Sequence, residues 1–427
     1  MIRNLDDALY KPISLSAWAI GCRCRILHCG QAPAATHEPA ASKDEEPLMT
    51  HGDAPGPARR MLIDPPPGTD VLTSAPGRAN LIGEYTDVNE GFVLPVALEL
   101  RTVVAGRRGG RRLVVSSKEL AGEPPVVVDV DTGDGPERGW GRYATAVVRT
   151  LRQAGLAMDG VEGLVSSDVP LGAGLSSSAA LEVALALALL REAVDPLPLA
   201  RLCQRAENEG VGVQSGLMDQ FASTGARQGT ALLLDCRDDA AEHVPIDPGL
   251  VVLVIDSGVP RELSASAYND RRQECARAAH ALGAPSLREV DVATLERVWD
   301  DLDDVARRRA RHVVTENARV LATARALRTG DDDAVGAAMT ASHDSLAGDF
   351  EVSTPELDLL VALTRQQPGV VGSRLTGAGF GGCSVSLVRR ERAEPVLAAV
   401  LAAYAERSGH RPRGWISRPA GGATRSR

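Results

Sequence analysis

Ala75-Pro76-Gly77-Arg78-Ala79-Asn80-Leu81-Ile82-Gly83-Glu84-Tyr85-Thr86-Asp87-Val88-Asn89-Glu90-Gly91-Phe92-Val93-Leu94-Pro95 is the stretch whose reading decides the fold. It follows a weak strand and sets a guanidinium, the carboxylates of Glu84 and Asp87, a phenol and three glycines within a short span. Burying that mixture in an apolar core would leave charges without water or partners. A pocket for a small, hydroxyl-rich ligand beside an anion can use all of it, because carboxylates accept hydrogen bonds from hydroxyls and a guanidinium pairs with anions.

Outward from this motif, the chain reads as an ordinary globular sequence. Its 427 residues are enough for a large core and point to two domains. Hydrophobic residues make up 44% and charged residues 24%, while aromatics are only 3%, so the few aromatics inside motifs carry weight. A net charge of −9 argues against a general nucleic-acid binder, which would carry a basic face. Cys203, Cys236, Cys275 and Cys383 are scattered singly, as thiols in a reducing, cytoplasmic compartment would be. Cys22, Cys24, His28 and Cys29 cluster, but no second Cys/His pair follows at zinc-finger spacing, so they are not read as a metal site. No run approaches the roughly 18 apolar residues of a membrane span.

Residues 1–60 mix a short apolar patch with Cys and Arg, then Ala, Pro, Glu and His, and are expected to form a poorly ordered extension, with Met49 or Met61 as an alternative start. Domains are expected over 61–240 and 241–427. Strands are expected at 103–105, 113–115, 125–130, 164–169, 231–235, 251–255, 372–376 and 383–388. Helices are expected at 140–151, from about 176, and at 265–282, 291–328, 331–346 and 355–366. Residues 411–427 read as a basic, frayed tail.

A second chemical signal is Asp168-Val-Pro170-Leu-Gly172-Ala173-Gly174-Leu175-Ser176-Ser177-Ser178-Ala-Ala180-Leu-Glu182. The pattern is strand, glycine turn, then helix start. Glycines let backbone approach a phosphate, and helix N-terminal amides favour anions. There is no Gly-Lys-Ser/Thr, so it is not a Walker loop. A third run, Leu375-Thr376-Gly377-Ala378-Gly379-Phe380-Gly381-Gly382-Cys383, also fits a bare Gly-x-Gly-x-x-Gly pattern, but only 50 residues follow Gly377, too few for a dinucleotide-binding domain.

Together these three runs resemble the motifs of galactokinases in the GHMP kinase superfamily, with one departure: Tyr85 stands where that family usually has histidine. The resemblance extends over roughly 71–427 through Gly216-Leu-Met218-Asp219-Gln220-Phe221, Asp256-Ser257-Gly258 with Ala267-Tyr268-Asn269-Asp270-Arg271-Arg272, Arg309-Ala-Arg311-His312 with Glu316-Asn317, and Ser342-His343 with Ser353-Thr-Pro-Glu356-Leu-Asp358. It implies a two-domain α+β fold, an N-terminal ATP-binding domain and a ferredoxin-like C-terminal domain, with the active site in the cleft between them. It also implies an ATP-dependent C1 kinase making α-D-galactose 1-phosphate, the first committed step of galactose metabolism. Two alternatives stand beside that reading. One is the same chemistry on arabinose, galacturonate or N-acetylgalactosamine; the other is a non-catalytic sugar-sensing paralogue.

By the same resemblance, Asp219 faces the C1 hydroxyl and Arg78 sits beside both Asp219 and the transferring phosphoryl. Glu84, Tyr85, Asp87, Gly216 and Tyr268 bind sugar. Gly172, Ala173, Gly174, Leu175, Ser176, Ser177 and Ser178 hold ATP phosphates, Trp140 and Tyr143 flank adenine, and Ser178 with Glu207 holds Mg²⁺. The implied partners are a small sugar and ATP, without nucleic acid or membrane, and a monomer is expected.

Overall fold

Alternating small and β-branched residues from Val71 on make the first half of the opening motif a strand, and the charged second half leaves it as a turn. The computed structural model describes residues 67–259 and 264–426; the extension expected over 1–60 lies outside them. Strand β1 (Val71–Asn80) pairs antiparallel with β3 (Pro95–Arg108), and a short β2 (Phe92–Val93) lies between them in sequence. Strands β4 (Arg112–Ser117), β5 (Val126–Asp129) and β6 (Val161–Ser167) extend this sheet on the β3 side. Two helices follow the two expected signals: α1 (Gly141–Gln153) and α2 (Ser177–Leu189). Helix α2 is apolar on nearly all faces and is accordingly buried in the core, with Glu182 as its single charge.

Helix α3 (Pro196–Arg205) continues into a π-helical turn, Ala206–Val211, before α4 (Met218–Gly225). Strands β7 (Thr230–Asp235) and β8 (Ala240–Pro245) join β2 in a three-stranded sheet, so this hairpin runs across position 240. Strand β9 (Leu250–Asp256), buried on both faces, opens the second half. Five helices follow: α5 (Ser264–Ala281), α6 (Val292–Arg297), α7 (Asp304–Thr329), α8 (Asp332–Gly348) and α9 (Pro355–Arg365). Strands β10 (Val370–Thr376) and β11 (Cys383–Arg389), helix α10 (Ala393–Ser408), β12 (Arg413–Ser417) and β13 (Thr424–Ser426) complete the chain. The second sheet has the order β10-β11-β9-β12, antiparallel throughout, which is the split βαβ arrangement of a ferredoxin-like domain. The fold is α+β, as expected.

Two expectations are corrected. The helix expected over 291–328 is broken, because the run Asp300-Asp301-Leu302-Asp303-Asp304 favours caps over helix interior: a 3₁₀ turn occupies Trp299–Asp301, and the Asp303 side chain accepts from Ala306 N to start α7. The tail expected to be frayed over 411–427 is structured as far as the described residues run, to 426. Strand β12 pairs with β9 and β13 with β1, and the Arg101 guanidinium donates to the carbonyls of Gly421 (3.0 Å) and Gly422 (2.9 Å). Helix α10 was not expected at all, although its Ala- and Leu-rich run has high helix propensity.

A shared hydrophobic core joins the two halves. Leu81, Leu94 and Val96 of the first pack in one cluster with Val252, Val254 and Val385 of the second and with Val320 of α7. This places the opening motif, the glycine-serine loop and the third glycine run around one cleft. No described helix is long and apolar enough to cross a membrane.

Candidate active site

At the end of β1, Arg78 connects three elements. Its Nε donates to Asp219 Oδ1 (2.7 Å), with Nη2 at 2.5 Å from the same oxygen, and its Nη1 donates to Gly174 O (2.7 Å). The Arg78 amide donates to Leu175 O (3.1 Å). A planar guanidinium with five donors can do this at once. The other Asp219 oxygen, Oδ2, accepts from Ser176 Oγ (2.5 Å). Asp219 thus stands in the first turn of α4 with both oxygens directed by the phosphate loop and its arginine, and its side chain keeps 22% exposure toward the cleft.

The loop's backbone is built for this approach. Gly172 and Gly174 adopt φ of +74° and +81°, which side chains resist. Ser176, the N-cap of α2, adopts +58° without glycine, a conformation that costs on the order of 1–3 kcal/mol and persists when surrounding contacts over-determine it. Beyond it, the first-turn amides of α2 from Ser177 and Ser178 lack helical partners and present positive potential.

Asp87 and Gly216 lie together, since a Cβ on Gly216 would lie 2.5 Å from Asp87 Oδ2. Burial, with Asp219 adding repulsion, pushes the Asp87 carboxyl from its ordinary 3.8 up to about 6. Tyr268 lies on the same side: burial first, then the charges of Asp87 and Asp219, hold its phenol well above the usual range, so it stays a neutral donor.

Glu84 and Tyr85 face inward. Glu84 is 2% exposed and its carboxylate pairs with the Arg374 guanidinium, while Oε1 accepts from Gly377 N (3.0 Å) and Thr376 Oγ1 (3.2 Å). Burial raises its pKa and Arg374 opposes the shift. Tyr85 is 3% exposed, and its hydroxyl donates to Ala378 O (2.6 Å). Trp140, at the N-cap of α1, packs against the core of the first sheet, and Tyr143 lies one turn on, near the Arg142 guanidinium. Helix α1 passes close to the π-helical turn, where Gly210 leaves no room for a Cβ beside Ala146.

That π-helical turn carries Glu207, buried at 5%. Its Oε2 accepts from Ser215 Oγ (2.6 Å) and Gln220 Nε2 (2.9 Å), and Gln220 Nε2 also reaches Glu182 Oε2 (3.2 Å). Glu182 sits one helical turn beyond Ser178, so Gln220 ties Glu207 to helix α2. Among the described residues no three His, Cys, Asp or Glu side chains cluster as a metal site. A Mg²⁺ ion carried on a nucleotide needs only one or two protein oxygens, its remaining ligands being phosphate and water, and Ser178 with Glu207 suits that demand.

Several residues in the second row around the cleft were not anticipated. Helix α7 holds the opening motif from behind: Glu316 Oε1 accepts from Gly83 N (2.9 Å), Asn317 Oδ1 from Phe92 N (2.9 Å), and His312 Nε2 lies 3.2 Å from Glu84 O. Burial alone would raise the Glu316 pKa, yet Arg319 and Arg374 bring it down to about 2. Burial lowers that of His312 to about 4, which leaves it neutral. Arg374 is fully buried and also donates to Asn80 O (3.3 Å). The only sequence signal for Arg374 is its position just before the third glycine run.

Comparison with known proteins places this geometry. Residues 64–108 match the galactokinase galactose-binding signature, residues 142–226 the N-terminal domain of GHMP kinases, and residues 323–406 their C-terminal domain. A galactokinase of Roseiflexus sp. (strain RS-1) is 45% identical over 364 residues, covering 83% of this chain and 93% of that protein. One of Streptomyces coelicolor is 42% identical over 361 residues, covering 82% and 93%. The crystal structure of Lactococcus lactis galactokinase complexed with galactose superposes with a TM-score of 0.78 at 32% identity, covering 83% of this chain and 94% of that one. A Methanococcus jannaschii mevalonate kinase, at 17% identity and a TM-score of 0.58 over 83% of this chain and all of that one, shares the fold alone.

Proposed function

The chain belongs to the galactokinases of the GHMP kinase superfamily, and from that premise we propose that it transfers the γ-phosphoryl of ATP to the C1 hydroxyl of galactose, giving α-D-galactose 1-phosphate, within the cytoplasm. The observation that carries the reading is Arg78 bound to Asp219 beneath the glycine-serine loop. In-line transfer needs an oriented acceptor oxygen and positive charge where the phosphoryl charge builds up. Asp219 orients the C1 hydroxyl and accepts its proton. Arg78 fixes Asp219 in place and offsets the growing phosphoryl charge. Ser176 holds the second Asp219 oxygen, so the carboxylate does not rotate away during the transfer.

The loop Gly172–Ser178 cradles the phosphates, and Trp140 and Tyr143 form the adenine side. Ser178 and Glu207 would hold Mg²⁺, which supplies charge neutralisation across the phosphates. Asp87 reads sugar hydroxyls with Gly216 leaving it room, Tyr268 donates beside it, and Glu84 anchors the floor. The chain divides into domains over 61–240 and 241–427, with the paired strands β7 and β8 meeting at the boundary. A silent sugar sensor would be expected to lose one of Arg78, Asp219, Ser178 or Glu207, and all four are in place.

The test is a panel of galactose, arabinose, galacturonate and N-acetylgalactosamine with Mg-ATP, followed by phosphorus NMR. Galactose is expected to give a C1 phosphate with the highest kcat/KM. Galacturonate should be poor, because its carboxylate would enter a pocket whose sugar-side groups already include the carboxylates of Asp87 and Asp219. Absence of any C1 phosphate would overturn the kinase reading.

Asp87 also sets a pH dependence. With its folded value near 6, kcat/KM for galactose should fall on the acid side of about pH 6, as the carboxylate takes up a proton and loses charge-assisted acceptance. The sign for stability is opposite to that of a paired carboxylate. Between its ordinary 3.8 and about 6, the folded chain holds a proton that the unfolded chain has released, so stability from this group is lost as pH rises through about 6. Asp87→Asn should therefore raise Tm at pH 8 while weakening galactose binding, measured by thermal denaturation and by sugar titration. A lowered Tm at pH 8 would contradict the burial argument.

A further inference from the structure

The phenol of Tyr85 bridges two loops that the proposed reaction must keep in register. Residues 84–87 form the sugar turn, and 377–382 form the glycine run beside it. Bonds cross between them: Gly377 N donates to Glu84 Oε1 (3.0 Å) and Tyr85 Oη donates to Ala378 O (2.6 Å). A phenol carries one proton. Because Ala378 takes it, Tyr85 cannot at the same time donate to a sugar hydroxyl.

The surroundings hold the side chain in that role. Tyr85 adopts φ of +66°, unusual for a non-glycine residue, and its carbonyl is fixed by Asn89 Nδ2 (2.8 Å). Its ring packs against Phe350 with centroids 4.5 Å apart and against Tyr268 at 5.2 Å. The glycine run is tied to the same place from its other end, where Phe380 N donates to Val352 O (2.8 Å). Tyr85 therefore reaches the glycine run and, through ring contact, the aromatic wall of the acceptor pocket.

We infer that Tyr85 is a positioning residue that locks the glycine run 377–382 to the sugar turn and does not donate to a sugar hydroxyl. This rests on the galactokinase reading above and deepens it. The sugar turn and the glycine run are then coupled through the Tyr85 hydrogen bond as well as that of Glu84. A histidine at this position is too short to reach Ala378 from the same backbone, so it would remove that tie and leave the Glu84–Gly377 bond to hold the loops.

The test uses the full chain as Tyr85→Phe, which keeps both ring contacts and removes only the hydroxyl, and as Tyr85→His. Steady-state kinetics with galactose and Mg-ATP are combined with hydrogen–deuterium exchange of the 376–382 segment. In Tyr85→Phe, amide exchange in that segment should quicken and KM for ATP should rise about 2- to 10-fold, the range set by one net hydrogen bond. KM for galactose should change less than twofold. Tyr85→His should quicken exchange in the same segment.

A raised KM for galactose with ATP kinetics and loop exchange unchanged would overturn the inference and return Tyr85 to sugar recognition. So would an absence of change in every measurement. The exchange arm needs no turnover, so it judges the lock even if the unmodified chain fails to phosphorylate galactose, which would count against the functional reading alone.

Discussion

Replacing Asp219 by asparagine is expected to lower kcat by about 10²–10⁴ while ATP binding stays within a few-fold of the unmodified protein. The carboxylate receives Arg78 on one oxygen and Ser176 on the other, so an amide of the same shape keeps part of that geometry. What it loses is the negative charge that takes the acceptor proton and balances Arg78. ATP contacts fall on the loop Gly172–Ser178 and should survive. Single-turnover kinetics together with calorimetric titration of a non-hydrolysable ATP analogue separate the two effects. Turnover near the unmodified rate would exclude Asp219 from the chemistry, whereas a parallel loss of nucleotide affinity would point to a collapsed loop.

The second large effect is one of stability. Arg374→Met should destabilise the fold by about 3–5 kcal/mol, measured by urea denaturation, because Glu84 and Glu316 would remain buried without their shared cation. Arg374 is buried completely, and so is Glu316. Arg319 still pairs with Glu316 Oε2 (2.7 Å), so most of the penalty should come from Glu84. Adding Glu84→Gln to Arg374→Met should recover part of the loss, a non-additivity expected only for groups in contact. A single-mutant loss below about 1 kcal/mol would show that the pair is dispensable to the cleft.

Local chemistry made much of the site legible. Arg78, Asp87, the glycine-serine loop and Asp219 each lie in short runs whose composition is uneconomical for anything except binding charge or hydroxyls. Helix and strand periods located β4, β6, β9, α1, α2, α8 and α9 closely. The misses have common causes. The Asp300–Asp304 run interrupts a helical period because its carboxylates compete for backbone amides. Strands β12 and β13 carry no alternating pattern, and their existence depends on partners more than 150 and 340 residues away, β9 and β1.

The opening motif shows where the line falls. By itself, the sequence showed that residues 75–95 carry a galactokinase-like motif and that Tyr85 departs from the pattern around it, because residue type and spacing are local properties. Tertiary structure alone decided what each group faces. Glu84 turns to Arg374, 290 positions later, and Tyr85 to Ala378, 293 positions later, while Glu316 and Asn317 grip the motif's backbone from helix α7. Buried polar groups must find partners wherever the packed chain supplies them, and those partners are set by topology.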